Sequence, residues 1–315
     1  MTKNQHHRAF FITVLWTLGL LFLGSVVHAT ESGLACPDWP TCFGTMVPEM
    51  TGGVFWEHLH RLVAGGLILF FGAATYLAWK EEARFRWMLK VAGAGLLLLL
   101  VQSVFGGLTV ILGLPDSIST THLALAFLFL AVATVLTVVS SPWWEEGVGP
   151  RSRVRGTLRG VLFLAAGLTL LQSVLGAAVR HTDAGVACPD VPLCLGEWVP
   201  PLDNGLVALH YSHRLVGLVL FGAVLWAAHL AFWRGGSGLL RRLALVAAST
   251  VTAQVLLGFF SVYFRLAVIP VSLHTLLAAG LLALLVTMAT LTWAPARESR
   301  GREGVPRNAT EPAEV

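Results

Sequence analysis

The sequence is short of charge. Only 12% of its 315 residues are Asp, Glu, Lys or Arg, where a soluble domain carries about 25%. That shortage argues against a soluble globular protein. A hydrophobic fraction of 56% and a mean hydropathy of +0.74 point to an integral membrane protein. Cysteine is scarce as well: there are four, all within two C-x5-C pairs, Cys36/Cys42 and Cys188/Cys194. The C-x2-C spacing typical of zinc sites is missing, which argues against zinc. The first apolar run lacks a good small-residue cleavage site, since Ala29-Thr30-Glu31 is a poor one, so it reads as a span and not as a signal peptide.

Runs long enough to span a bilayer, about 20 apolar residues each, fall at 10–28, 57–79, 91–112, 119–140, 160–179, 208–232, 243–264 and 271–293. With no water to satisfy the backbone, these must be helices. Seventeen of the 21 basic residues lie at the N-terminus, in alternate connections or in the tail; the other four, Arg61, Arg180, Arg214 and Arg265, lie on the opposite side. The positive-inside rule then makes both termini cytoplasmic and the protein a multi-pass plasma-membrane protein. The net charge of +4 follows from this bias and requires no nucleic acid. The polar tail 294–315 is expected to be disordered.

The chain repeats itself. Residues 33–48 and 185–200 share 10 identities in 16 at an offset of 152. Both contain C-P-D-x-P-x-C-x-G. The offset carries Gln102 onto Gln254 and His122 onto His274; with one extra residue, His60 maps to His213 and Arg61 to Arg214. The expected fold is therefore an all-α membrane protein of eight transmembrane helices, arranged as two tandem pseudo-symmetric four-helix bundles. The N-terminal half covers 1–140 with an outer loop at 30–55. A basic linker covers 141–159. The C-terminal half covers 160–293 with an outer loop at 180–206. Both Cys pairs lie on the oxidising side, where disulfides persist; each either pins its loop or acts as a redox pair.

Four histidines sit near the outer ends of the second and fourth spans of each half: His60, His122, His213 and His274. Two imidazoles facing across a bundle suit the axial positions of a haem iron. No third or fourth ligand recurs, so zinc fits poorly. Arg61 and Arg214 follow two of these ligands and are candidates for haem propionates, because a guanidinium forks a carboxylate; interfacial snorkelling is the alternative. Gly65, Gly66, Gly106, Gly107, Gly217 and Gly258 allow close approach of helices or of a macrocycle. The halves differ three residues before the first ligand, where the N-half has Glu57 and the C-half His210. Glu57 can act as a general base or steady a cation, or it can cap the helix or pair with an arginine. His58 and His210 are off the repeated ligand positions and receive no role.

These residues together resemble the haem A synthase family. The resemblance spans residues 10 to about 293 and rests on Glu57-x-x-His60-Arg61 with His122, on His213-Arg214 with His274, and on the two Cys motifs. Pairs in both outer loops resemble the family's bacterial branch. The resemblance implies oxidation of the C8 methyl of haem O to a formyl group by successive hydroxylations, giving haem A for terminal oxidases. It implies His213 and His274 as axial ligands of a haem b, His60 and His122 as ligands of the substrate haem, and Glu57 as the catalytic carboxylate. Disulfides Cys36–Cys42 and Cys188–Cys194 follow, the first taking part in redox or transfer. The implied partners are haem O, haem A, membrane lipid, an unidentified electron acceptor and a protohaem farnesyltransferase upstream; a homo-oligomer is allowed. From the residues alone, an electron-transfer cytochrome b with two bis-histidine haems, a haem carrier and a quinone-linked thiol oxidase stay open.

Overall fold

Apolar length decides the architecture. In the computed structural model, which describes residues 5–81, 86–145 and 152–294, the helices are α1 (Gln5–Ala29), α2 (Gly52–Lys80), α3 (Arg86–Ile111), α4 (Asp116–Val139), the one-turn α5 (Pro142–Glu145), α6 (Ser152–His181), α7 (Gly205–Arg234), α8 (Gly238–Tyr263) and α9 (Val268–Leu291). Eight are long and apolar enough to cross a membrane, and no strand occurs among the described residues. Each coincides with an expected span, and most begin several residues earlier. Hydropathy stops counting at a polar residue, whereas helical hydrogen bonding continues into the interface. The clearest case is α6, which starts at Ser152, inside the stretch expected to be a linker. Linker residues 146–151 and tail residues 295–315 lie outside the described residues.

Helix starts and stops have local causes. Asn204 caps α7, its Oδ1 accepting from the Leu206 and Val207 amides at 2.9 and 3.4 Å, and Ser237 accepts from Leu240 at 3.1 Å to open α8. The turn after α3 runs through Gly113 and Leu114 at φ 71° and 60°, the left-handed region that ends a helix. Within the spans, hydroxyls return to the carbonyl one turn back: Thr13 to Ala9 at 3.0 Å, Thr134 to Leu130 at 2.7 Å and Thr169 to Ala165 at 2.7 Å. A polar group in hydrocarbon is thereby satisfied within its own helix.

Helix α1 packs on α2, α2 on α3, α3 on α4, and α4 back on α1. Helices α6, α7, α8 and α9 close a second ring in the same way, and the two rings meet through α1·α9, α4·α6 and α4·α9. One continuous core runs through both. Small residues such as Ala74, Ala92, Ala133, Ala165, Ala231 and Ala279 are buried and let the helices approach. Phe71 fills the first ring, edge-on to Phe129 with centroids 5.0 Å apart. Leu69, Leu97, Leu218 and Ile269 point outward and exposed, as a lipid-facing surface requires. A further bond crosses between the rings, Ser25 Oγ to Thr275 Oγ1 at 3.3 Å.

Candidate functional site

Four histidines stand at matched depths in the two rings. His60 lies eight residues past the start of α2 and His213 eight past the start of α7. His122 and His274 each lie six past the starts of α4 and α9. At 1.5 Å per residue these are depths of about 12 and 9 Å. His60 lies within electrostatic range of His122, and His213 of His274. His60 and His122 belong to the first ring of helices, and His213 and His274 to the second.

Each imidazole lies against a glycine of the preceding helix. A Cβ added at Gly24 would meet His60 Cε1 at 3.0 Å; one at Gly106 would meet His122 at 2.9 Å, at Gly176 His213 at 2.9 Å, and at Gly258 His274 at 3.2 Å. Any side chain at these positions would press on the ring edge, most at Gly106 and Gly176. Gly106 and Gly258 were among the expected close-packing glycines; Gly24 and Gly176 were not. Their signal is the repeat itself, since 24 and 176, like 106 and 258, differ by 152.

The rings are polar groups in an apolar bundle, and their hydrogen bonding is incomplete. The Nδ1 atoms of His60 and His213 are buried without a partner. His122 Nδ1 is 3.1 Å from the Gln102 carbonyl, so it carries the proton and leaves Nε2 with the lone pair. The amide nitrogens of Gln102 and Gln172 stand 3.4 and 3.3 Å from Nε2 of His122 and His213. The side-chain oxygens of Gln102, Gln172 and Gln254 are buried and unpartnered. Buried polar atoms without partners are rare in native proteins and call for an explanation. Buried imidazoles whose hydrogen bonding is incomplete, cradled by glycine, fit a planar metal cofactor such as haem. Gln172 is a site residue that the sequence reading missed; its 152-offset counterpart is Leu20, so no repeat signal marked it.

The loops that lead into α2 and α7 are each closed by a disulfide, Cys36–Cys42 and Cys188–Cys194. Arg61 Nη1 donates to the carbonyls of Asp38 and Thr41 at 2.6 and 2.5 Å, and Nη2 to that of Cys36 at 3.3 Å. Arg214 repeats this on the carbonyls of Asp190, Leu193 and Cys188 at 2.9, 2.7 and 2.6 Å. Both arginines thus hold a disulfide loop on its bundle, a task not foreseen from sequence.

Glu57 belongs to the same clamp. It is 4% exposed, accepts the Cys36 amide at 2.7 Å and pairs with Arg61 at 2.5 Å. Because α2 begins at Gly52, Glu57 lies beyond the first turn, and the helix-capping alternative falls away; the arginine pair is present. His210, which aligns with Glu57, instead bonds the Ala184 carbonyl through Nδ1 at 2.9 Å. The first loop also docks differently: Trp39 covers Gly107, where an added Cβ would meet its ring at 2.7 Å. The offset places Val191 and Phe259 at the corresponding positions.

Asp38 folds this loop. Its carboxylate accepts from the Thr41 hydroxyl and from the Phe43 and Gly44 amides, the latter two at 2.6 and 2.9 Å. The Thr41 bond first, then the amides, lower its pKa below 3.8. A depressed carboxylate contributes its full share above the unfolded value and loses it as pH falls through the folded one. Asp38→Asn is therefore expected to speed proteolysis of the first loop at neutral pH, whereas the unsubstituted loop shows the same change only in acid. Protease sensitivity scanned against pH checks this.

A bundle of eight candidate membrane spans, carrying four buried histidines set against glycines beside two disulfide loops, defines a polytopic membrane protein whose donor set fits haem. The comparisons make this specific. The COX15-CtaA family, described as cytochrome oxidase assembly protein, matches residues 7–52 and 49–286. A haem A synthase of Halalkalibacterium halodurans is 30% identical over 68% of the chain and 74% of its own length. One of Lysinibacillus sphaericus is 27% identical over 91% of the chain and 96% of its own. A protein of Thermus thermophilus named protohaem IX farnesyltransferase is 31% identical over 88% of the chain, which covers 46% of that protein. The chain belongs to the COX15-CtaA family, the haem A synthases, enzymes of haem A biosynthesis.

Proposed function

We propose that the chain oxidises the C8 methyl of haem O to a formyl group, with water as the oxygen source. The observation that carries this reading is the set of four histidines, each set against a glycine, with a buried carboxylate three residues before the first histidine of one half and none at the matching position of the other. In this reading the halves are a tandem pair in one orientation. His213 and His274 hold a resident haem b, which supplies one-electron chemistry when bound. His60 and His122 hold the substrate haem. Helices α2 and α3 pack less closely than α7 and α8, which supports lipid-side access for a farnesylated substrate in the N-terminal half. Arg61 and Arg214 hold their loops by hydrogen bonds, and their charge beside the ligands favours haem propionates.

Two histidine ligands leave no open iron position for O2, so oxygen insertion of the P450 type is disfavoured. Removing two electrons and one proton from the methyl leaves a carbocation; water adds to it and gives up a second proton, which yields the alcohol. A second round gives a hydrated aldehyde, which loses water; an unidentified acceptor takes four electrons in all. In this reading Glu57 takes a proton from the methyl or the incoming water, or steadies the cation. The farnesyl tail calls for a farnesyltransferase upstream, and the Thermus relative that bears that name supports the link. The basic-residue bias supports a plasma-membrane protein with cytoplasmic termini and outward loops.

Haem extraction and chromatography test the reading. The purified protein is expected to yield haem b together with haem O, haem A or their alcohol intermediate. His274→Ala should lose the haem b and keep the substrate-haem signal. Label from 18O-water is expected in the alcohol. Haem b alone, filling both sites without conversion of added haem O, would sink the synthase reading and favour the cytochrome.

A further inference from the structure

His58 is the buried histidine that the haem sites leave unused. It is 1% exposed. Its Nε2 is 3.0 Å from the Met46 carbonyl, while its Nδ1 is buried without a partner. Two sulfur atoms lie close to it. A ring nitrogen of His58 and the Sγ atoms of Cys36 and Cys42 lie within 4.8 Å of one another, the single such group of three His, Cys, Asp or Glu donors among the described residues. Both cysteines are fully buried. The C-x5-C spacing argued against zinc; the fold adds a third donor that spacing does not reveal.

The second loop is a built-in control. Tyr211 aligns with His58, packs on Cys188 and Cys194, and donates its hydroxyl to the Trp198 carbonyl at 3.0 Å. Trp198 aligns with Met46. The side chain-to-carbonyl bond that braces the loop is thus made in both halves, and a tyrosine suffices for it. Bracing alone gives no reason for an imidazole with a spare nitrogen beside the first sulfur pair.

We propose that Cys36, Cys42 and His58 form a redox-gated site for a thiophilic d10 cation, zinc(II) or copper(I), which binds once the disulfide is opened. A dithiol reductant of the thioredoxin-like class breaks the Sγ–Sγ bond. Two electrons and two protons pass to the cysteines, and the reductant becomes a disulfide. The cation then takes two thiolates and one imidazole, and both thiol protons leave to solvent. Thiolates select such cations over hard ones. Two thiolates neutralise zinc(II), which keeps a buried site free of net charge. Three protein donors leave one coordination position open.

Zinc(II) is the probe. Full-length protein is reduced with a phosphine, incubated with zinc(II), freed of excess metal, and analysed for zinc and iron by elemental mass spectrometry. The reduced protein is expected to retain about one zinc per chain more than the oxidised protein, as a single three-donor site requires. His58→Tyr, which copies the second loop, should weaken zinc binding at least ~10-fold, the scale expected for loss of a ligand. Cys188→Ser with Cys194→Ser should leave it unchanged. In the unsubstituted protein, zinc should slow alkylation of Cys36 and Cys42 and not of Cys188 and Cys194, a readout independent of how any variant folds. Equal zinc in reduced and oxidised protein, an unchanged affinity in His58→Tyr, or equal protection of both pairs would overturn the proposal.

Discussion

Glu57→Gln is expected to lower haem O conversion by about 10²–10³-fold, the usual scale for a lost general base, while bound haem b stays in place. The substitution separates the chemical task proposed for Glu57 from the loop-holding task that its contacts show. Glu57 accepts the Cys36 amide and pairs with Arg61, so part of its role is to hold the first loop. Glutamine keeps an oxygen for the Cys36 amide and keeps the shape, but it cannot take a proton and carries no charge. Arg61 retains its three loop carbonyls. A loop-holding residue would survive this change with most of its activity; a base or cation-stabilising group would not. The measurement is haem O conversion by chromatography, with haem b content and alkylation of Cys36 and Cys42 followed in parallel. Full turnover with an intact loop would reduce Glu57 to a structural clamp. Slow turnover with an intact loop supports the chemical role.

The parts of this protein that follow from composition were legible in the sequence, and those that depend on helix rotation were not. Eight spans could be read because a bilayer demands an apolar length that chance does not produce. Their polar ends, such as residues 152–159 of α6, could not, since hydropathy falls there although the helix continues. His60, His122, His213 and His274 stood out because ionisable residues in spans are few. Gly24 and Gly176 did not, because the sequence has 32 glycines and only packing shows which face a ring. The stretch from Glu57 to Arg61 divides in two. Residues two apart on a helix point to nearly opposite sides. His60 accordingly lies against Gly24 of α1, while His58 turns to the sulfur pair of the loop.

The glycine contacts lead to the second large effect. Gly176→Leu is expected to cut bound haem b to under about a tenth, while Gly167→Leu on the same helix leaves it unchanged. At Gly176 even a Cβ would come within 2.9 Å of His213 Cε1, whereas at Gly167 an added Cβ meets nothing within 4 Å. His213 cannot readily yield. Its carbonyl accepts the Gln172 amide at 2.8 Å, and the next residue, Arg214, is bonded to three loop carbonyls. The cost of overpacking, about 1–3 kcal/mol, therefore falls on the ring, which must turn away from the position an axial ligand needs. Gly176→Ala should show a weaker loss, because a methyl asks for a smaller shift. Gly24→Leu should act likewise on the substrate site through His60, where the contact is 3.0 Å, and leave haem b bound. Haem content per folded chain, measured by absorption after extraction, reads all four variants. Equal haem b in Gly176→Leu and Gly167→Leu at equal folded yield would show that the His213 ring is free to move, and that the glycine does not set the ligand.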